Sequence, residues 1–149
     1  MKAMTSNESI QLLAKNFIGR IGYISKRRPE IIPITYYFDP EQNSILSYSG
    51  PGSKIEAMRK NPLVSFQVDD ITTLENWKSV LLHGRFEELK GSDAKYMLHL
   101  FSEGVKKVIK TKEKYCPDFI QDFSSKTNNS NTPIVYRIHI DELSGRQRD

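Results

Sequence analysis

Apolar residues recur along this chain at two spacings, one helical and one extended, and the alternation between them divides it into elements. Ile10, Leu13, Ala14 and Phe17 fall on one face of a helix that Ser6 or Asn7 would N-cap. From Phe17 to Ser25 the apolar positions Ile18, Ile21, Tyr23 and Ile24, punctuated by Gly19 and Gly22, suit a strand. The polar cluster Lys26-Arg27-Arg28-Pro29 reads as a turn into a second strand, Ile31 to Phe38, and the two predict a hairpin. A second polar turn, Asp39 to Asn43, leads to a third strand, Ser44 to Ser49, so that three antiparallel strands begin a meander. Gly50-Pro51-Gly52-Ser53 breaks the pattern, and Lys54 to Lys60 reads as a two-turn helix with Ile55 and Met58 inward, ended by Asn61-Pro62. Leu63 to Val68 and Ser79 to Leu89 are strands on either side of an irregular segment, Asp69 to Lys78, which holds the sole tryptophan, Trp77. Ser92 would cap the clearest helix, where Ala94, Met97, Leu98, Phe101, Val105 and Val108 recur at three- and four-residue steps. Beyond it, Thr111 to Thr132 is polar, with Ser124 to Asn131 expected to be a mobile loop, and Pro133 to Ile140 supplies a sixth strand.

Many strands in succession, with only short helices between most of them, favour a barrel over a layered βαβ fold. The expectation is a single domain over residues 1–149, mainly β with flanking helices, built on a six-stranded antiparallel barrel. An apolar share of 38% and a mean hydropathy of -0.53 are low for a chain with a private pocket, which suggests that a second copy completes part of the core. The single cysteine, Cys116, has no internal disulfide partner and reads as structural. The opening residues MKAMTSNESI lack an apolar core, and no run approaches the roughly 18 apolar residues of a membrane span, so a soluble cytoplasmic protein with no membrane partner is expected. A net charge of +4 attracts phosphates in general and does not choose among them.

The segment Tyr48-Ser49-Gly50-Pro51-Gly52-Ser53-Lys54 changes this picture most, because it joins a strand end to a helix start through small residues. A helix N-terminus has free N–H donors and a partial positive charge, and a serine hydroxyl plus a lysine ammonium would complete a phosphate cradle. Ser53 and Lys54 are the candidate phosphate contacts, although the same residues also suit a simple tight turn. The histidines His83, His99 and His139 have no ligand spacing, and no metal site is expected. Arg85 and Glu87, two residues apart on one strand, suit a surface ion pair. The lysines Lys106, Lys107, Lys110, Lys112 and Lys114 have only Tyr115 as a nearby aromatic, which argues for a solvated face and against nucleic acid.

Four blocks carry a longer resemblance: Phe17-Ile18-Gly19-Arg20-Ile21-Gly22, Ile32-Pro33-Ile34-Thr35-Tyr36-Tyr37-Phe38, Gly52-Ser53-Lys54-Ile55, and Asn76-Trp77-Lys78-Ser79-Val80-Leu81-Leu82-His83-Gly84-Arg85-Phe86-Glu87. In this order and spacing they resemble the nitroimidazole-reductase-like branch of the pyridoxamine 5'-phosphate oxidase-like family, over most of residues 10 to 90. The resemblance implies an FMN-binding split β-barrel and a homodimer with two FMN molecules held in the subunit interface. It further implies that Pro33, Ile34, Thr35, Tyr36, Tyr48 and Ser49 line the isoalloxazine and that Ser53 and Lys54 bind the phosphate. Trp77, Ser79 and Val80 would come from the other subunit. The implied activity is electron transfer from a reduced nicotinamide to a small planar acceptor, with no catalytic residue assigned. The contrasting reading is a non-catalytic barrel that binds haem, flavin or another planar cofactor. Two departures narrow the acceptor. Tyr48 stands where nitroimidazole reductases carry histidine, and the arginine-histidine set with which pyridoxamine phosphate oxidases grip their substrate is not evident, Arg146 and Arg148 apart.

Overall fold

Residues 1–113 and 133–149 are described by the computed structural model; the expectations for Lys114, Tyr115, Cys116 and the loop at 124–131 lie outside them. In chain order the elements are β1 (Lys2–Ala3), α1 (Ser6–Lys15), β2 (Ile18–Ser25), β3 (Arg28–Thr35), β4 (Tyr37–Asp39), β5 (Ser44–Ser49), α2 (Ser53–Lys60), β6 (Leu63–Thr73), β7 (Asn76–Leu89), α3 (Gly91–Glu113) and β8 (Ile134–Arg148). The strands form one antiparallel sheet in the order β3-β2-β6-β7-β8-β5-β4, with β1 added to the far half of β8. The sheet is mainly β with flanking helices, as expected, and it is not closed: its edge strands β3 and β4 share no ladder but are consecutive in the chain, separated by Tyr36 alone. A sheet whose two edges are one residue apart must curl until they meet, which is the split barrel.

The strand count is eight among the described residues, not six, and Tyr36 is one reason. Its backbone N–H donates to the carbonyl of Phe17 at 2.9 Å and its hydroxyl to the carbonyl of Leu13 at 2.6 Å, which takes it out of both ladders and splits the run from Ile31 to Phe38. Before it β3 pairs with β2, and after it β4 pairs with β5. The Ser47 hydroxyl then spans the split, donating to the carbonyl of Thr35 at 2.8 Å. The segment Asp69 to Lys78 is not irregular either. The β6–β7 ladder continues through it, Trp77 lies in β7, and only Leu74 and Glu75 form the turn.

Two apolar clusters hold the fold together. Ile21, Tyr36, Phe38, Ile45, Phe66, Leu82 and Tyr136 fill the inside of the curl, with Leu12 and Leu13 from α1 and Ile55 and Met58 from α2. Thr5, not Ser6 or Asn7, caps α1, its hydroxyl oxygen accepting from the Glu8 N–H at 3.1 Å. On the opposite face of the sheet Leu98, Phe101, Val105 and Ile109 of α3 bury Leu46 and Val135. Helix α3 approaches so closely at Gly104 that a β-carbon there would run into the Tyr37 ring. Lys106, Lys107, Lys110 and Lys112 fall inside this helix, which is longer than its apolar pattern alone indicates.

Removing the Tyr36 hydroxyl leaves the Leu13 carbonyl buried without that donor. Tyr36→Phe is therefore expected to lower unfolding free energy by about 1–2 kcal/mol in urea titrations, with little change in m-value.

Candidate functional site

The end of β5 and the start of α2 meet at an open turn. Gly50 and Gly52 have nothing within 4 Å of where a β-carbon would stand, so the approach to the helix start is clear. Gly52 occupies the N-cap with extended backbone and no side-chain cap, its carbonyl accepting from the Glu56 N–H at 3.1 Å. The N–H groups of the first turn have no partner within the helix and face that opening. Ser53 is exposed at the turn and Lys54 is half-buried. The Lys54 ammonium lies 5.9 Å from the centre of the Tyr136 ring, and no carboxylate pairs with it among the described residues. Partial burial pushes its pKa below the ordinary lysine value. A partly desolvated cation without an acid, beside uncapped N–H donors, would gain electrostatically from a nearby anion. Beneath it the Tyr136 hydroxyl is fully buried beside Ser47, which stands opposite it in the β5–β8 ladder. Burial pushes its pKa up to about 12, with nearby Ser47 drawing it partly back.

Alternation decides what the neighbouring strand residues present. Pro33 is exposed and Thr35 half-buried, whereas the side chains of Ile34 and Tyr36 belong to the inner core, so a ligand meets those two only through their backbone. Ser49 is half-buried and its hydroxyl donates to the Gly50 carbonyl at 2.8 Å. Tyr48 points to the other side of β5, where its ring meets Phe101 of α3 edge-on at 5.5 Å. The structure thus gathers Thr35, Ser47, Ser49, Ser53 and Lys54 around the split.

Trp77 and Ser79 lie elsewhere, on the outer face of the sheet, where they line a groove of about 380 Å³ with Gln67, Leu81, Ser144 and Arg146. Val80, between them and Leu82, points into the core. This outer face carries a feature that the sequence reading missed. Ile18, Ile24, Ile31, Leu63, Ile71 and Leu81 are all exposed on β2, β3, β6 and β7. Ile24, Ile31 and Leu63 wall a second groove of about 560 Å³, floored by Gly22 and Ser65, with the Ser65 hydroxyl 3.0 Å from His83 Nδ1. The signal was present as apolar doublets, Ile31-Ile32 and Leu81-Leu82, which put an apolar side chain on both faces of one strand.

The charged residues singled out on β7 pair across the ladder to β8. Arg85 reaches Asp141 at 4.0 Å and Glu87 reaches His139 at 3.2 Å and Arg137 at 3.9 Å, so the expected Arg85–Glu87 pair does not form; partners across the ladder are closer than next-but-one neighbours along a strand. His99 is exposed on α3. Among the described residues no three metal-binding side chains gather, and no helix is long and apolar enough to cross a membrane.

A family model described as pyridoxamine 5'-phosphate oxidase matches residues 5–147. An uncharacterized protein of Rhizobium meliloti (strain 1021) is 28% identical over 149 residues, covering 98% of this chain and 94% of that protein. Among solved structures, an FAD-binding protein from Mesorhizobium loti superimposes with a TM-score of 0.75 at 28% identity, covering 99% of this chain and 96% of that one. A protein from Mycobacterium smegmatis described as binding FAD and heme has a TM-score of 0.73 at 15% identity, covering 100% of this chain and 74% of that one, a likeness of fold.

Proposed function

We propose that this chain, which belongs to the pyridoxamine 5'-phosphate oxidase family, is a cytoplasmic flavoprotein. In this reading it binds a flavin through the FMN unit and passes electrons from a reduced nicotinamide to a small planar acceptor. The observation that carries the reading is Lys54, a half-buried ammonium with no acid partner among the described residues, set at the uncapped start of α2. Ser53, Lys54 and the first-turn N–H groups fit a phosphate there. Thr35, Ser49 and the backbone of Pro33, Ile34 and Tyr36 offer polar edges and an extended wall to the ring system, while Tyr48 stays on the α3 side. When bound, the flavin supplies hydride and single-electron transfer, and the protein's part is to bind, orient and exclude water.

A homodimer completes the site in this proposal. The exposed aliphatic face of β2, β3, β6 and β7 is the surface that a second copy would cover, and Trp77 and Ser79 stand on that same face, able to reach a flavin held by the other chain. The similarity to a protein described as FAD-binding supports the flavin half of the reading.

An ultraviolet-visible spectrum of the purified protein, before and after adding FMN and passing through a desalting column, tests it. Retained flavin absorbance, followed by NADH or NADPH oxidation with quinone or nitro acceptors faster than free FMN supports, is the expected result. Retained flavin without turnover would leave a binding protein, a Soret band would move haem ahead, and a spectrum that stays featureless with FMN present would remove the proposal.

A further inference from the structure

We infer that the outer-face groove that Trp77 lines takes a planar acceptor carrying an oxyanion, a carboxylate or a phosphate, which Arg146 anchors; this rests on the reading that Trp77 and Ser79 face a flavin held by the other chain. The groove, about 380 Å³, has the size of a small-molecule pocket. Strand register builds it. Arg146 stands directly opposite Ser79, Ser144 opposite Leu81, and Leu81 opposite Gln67, so β6, β7 and β8 turn these side chains to one face of the sheet. Trp77, two residues before Ser79 on β7, and Met1 complete the lining.

Among these lining residues the only charged side chain is Arg146, and it is free. Its guanidinium is exposed and pairs with no acid among the described residues. The acid in its row, Asp69, stands on the far side of Ser79 and is occupied: Arg20 reaches it at 3.4 Å, and the Gln67 side-chain amide donates to it at 2.9 Å. The same amide donates to the Ser79 hydroxyl oxygen at 2.9 Å, which holds that hydroxyl in place and leaves its O–H to donate. Arg148, two residues on along β8, already leans on Glu75 at 3.9 Å. A guanidinium presents paired N–H donors to a carboxylate or phosphate, and an indole offers a flat face to a ring, with Leu81 adding apolar contact. A neutral ring meets only the Trp77 and Leu81 part of this set, so charge on the ligand decides its affinity.

Titration of 4-nitrobenzoate and of 4-nitrophenyl phosphate, each against neutral 4-nitrobenzamide, into the flavin-loaded protein is the test, followed by calorimetry and by the emission of Trp77, the sole tryptophan. At least one of the two anions is expected to bind about ten-fold tighter than the amide, with Trp77 emission changing as the site saturates, and to be reduced with a correspondingly higher kcat/KM. Which anion is preferred tells carboxylate from phosphate. Arg146→Met is expected to bring the anion-to-amide ratio towards one in both binding and kcat/KM, while Arg146→Lys keeps part of it; circular dichroism confirms that each variant folds. The ratio is the readout, because general damage to the groove moves anion and amide together. No saturable binding of either anion, equal affinities for anion and amide, or a ratio that survives Arg146→Met would overturn the inference while leaving the flavin reading in place. A protein that retains no flavin overturns it together with that reading.

Discussion

Lys54→Glu is expected to weaken flavin binding by about 100-fold or more, because it removes a charge-assisted contact worth about 1.5–3 kcal/mol and sets a carboxylate against the phosphate. Lys54→Met keeps the aliphatic stem over the Tyr136 ring and loses only the charge, so about a ten-fold loss is expected from it. Neither change should lower the stability of the flavin-free protein, since Lys54 is partly desolvated and satisfies no acid among the described residues. That separates a binding role from a structural one. The pH dependence has a definite sign. Burial lowers the folded pKa of Lys54, so the free site begins to lose its proton below the ordinary lysine value of 10.5. A bound phosphate pulls that pKa back up, so binding takes up a proton in the alkaline range and affinity falls as pH rises there. Unaltered affinity in Lys54→Glu, measured by flavin fluorescence quenching, would remove Lys54 from the site.

The turn from β5 to α2 that frames the candidate cradle was legible because it is local. Strand end, glycine turn and helix start follow one another within seven residues, and each announces itself by residue type. What failed to show in the sequence depends on contacts between distant segments. Tyr36 sits in an apolar run that predicts one strand, and only its hydrogen bonds to Phe17 and Leu13, both in the α1–β2 region, show that the run is broken and that its ring is core and not cofactor wall. Asp69 to Lys78 looks like a loop because its residues are polar, yet strand ladders are backbone structures. The β6–β7 hairpin continues outward wherever both neighbours run on, and polar side chains on a solvated extension do not oppose it. The same holds for Asp141 to Arg148, which remains strand because β7 flanks one side and β1 caps part of the other. The apolar outer face was not read from the sequence, although Ile31 next to Ile32, and Leu81 next to Leu82, put an apolar side chain on both faces of one strand.

Those doublets lead to the second large effect. An aliphatic surface of this extent, with Ile31 at 71% and Leu81 at 40% exposure, is costly in water and is what a subunit interface covers. Ile31 stands opposite Gly22 in the β2–β3 ladder, away from the groove that Trp77 lines, so a charge there tests association without altering that groove. Ile31→Arg would bring two unpaired guanidinium groups into a two-fold interface, each at a cost of several kcal/mol, and is expected to weaken dimerisation by more than about 100-fold. Light scattering behind a sizing column should then report dimer for the unaltered chain and monomer for the variant, with the far-ultraviolet circular dichroism unchanged. If Trp77 and Ser79 act on a flavin held by the other copy, the monomer must also lose flavin, and raising the protein concentration until dimers reform must restore it. Leu81→Arg serves as the comparison, since it alters the same face inside the Trp77 groove and should lower flavin affinity even at concentrations where dimers persist. A variant that remains dimeric would place the interface elsewhere on the molecule, and a monomer that keeps full flavin affinity would show that one chain supplies the whole site.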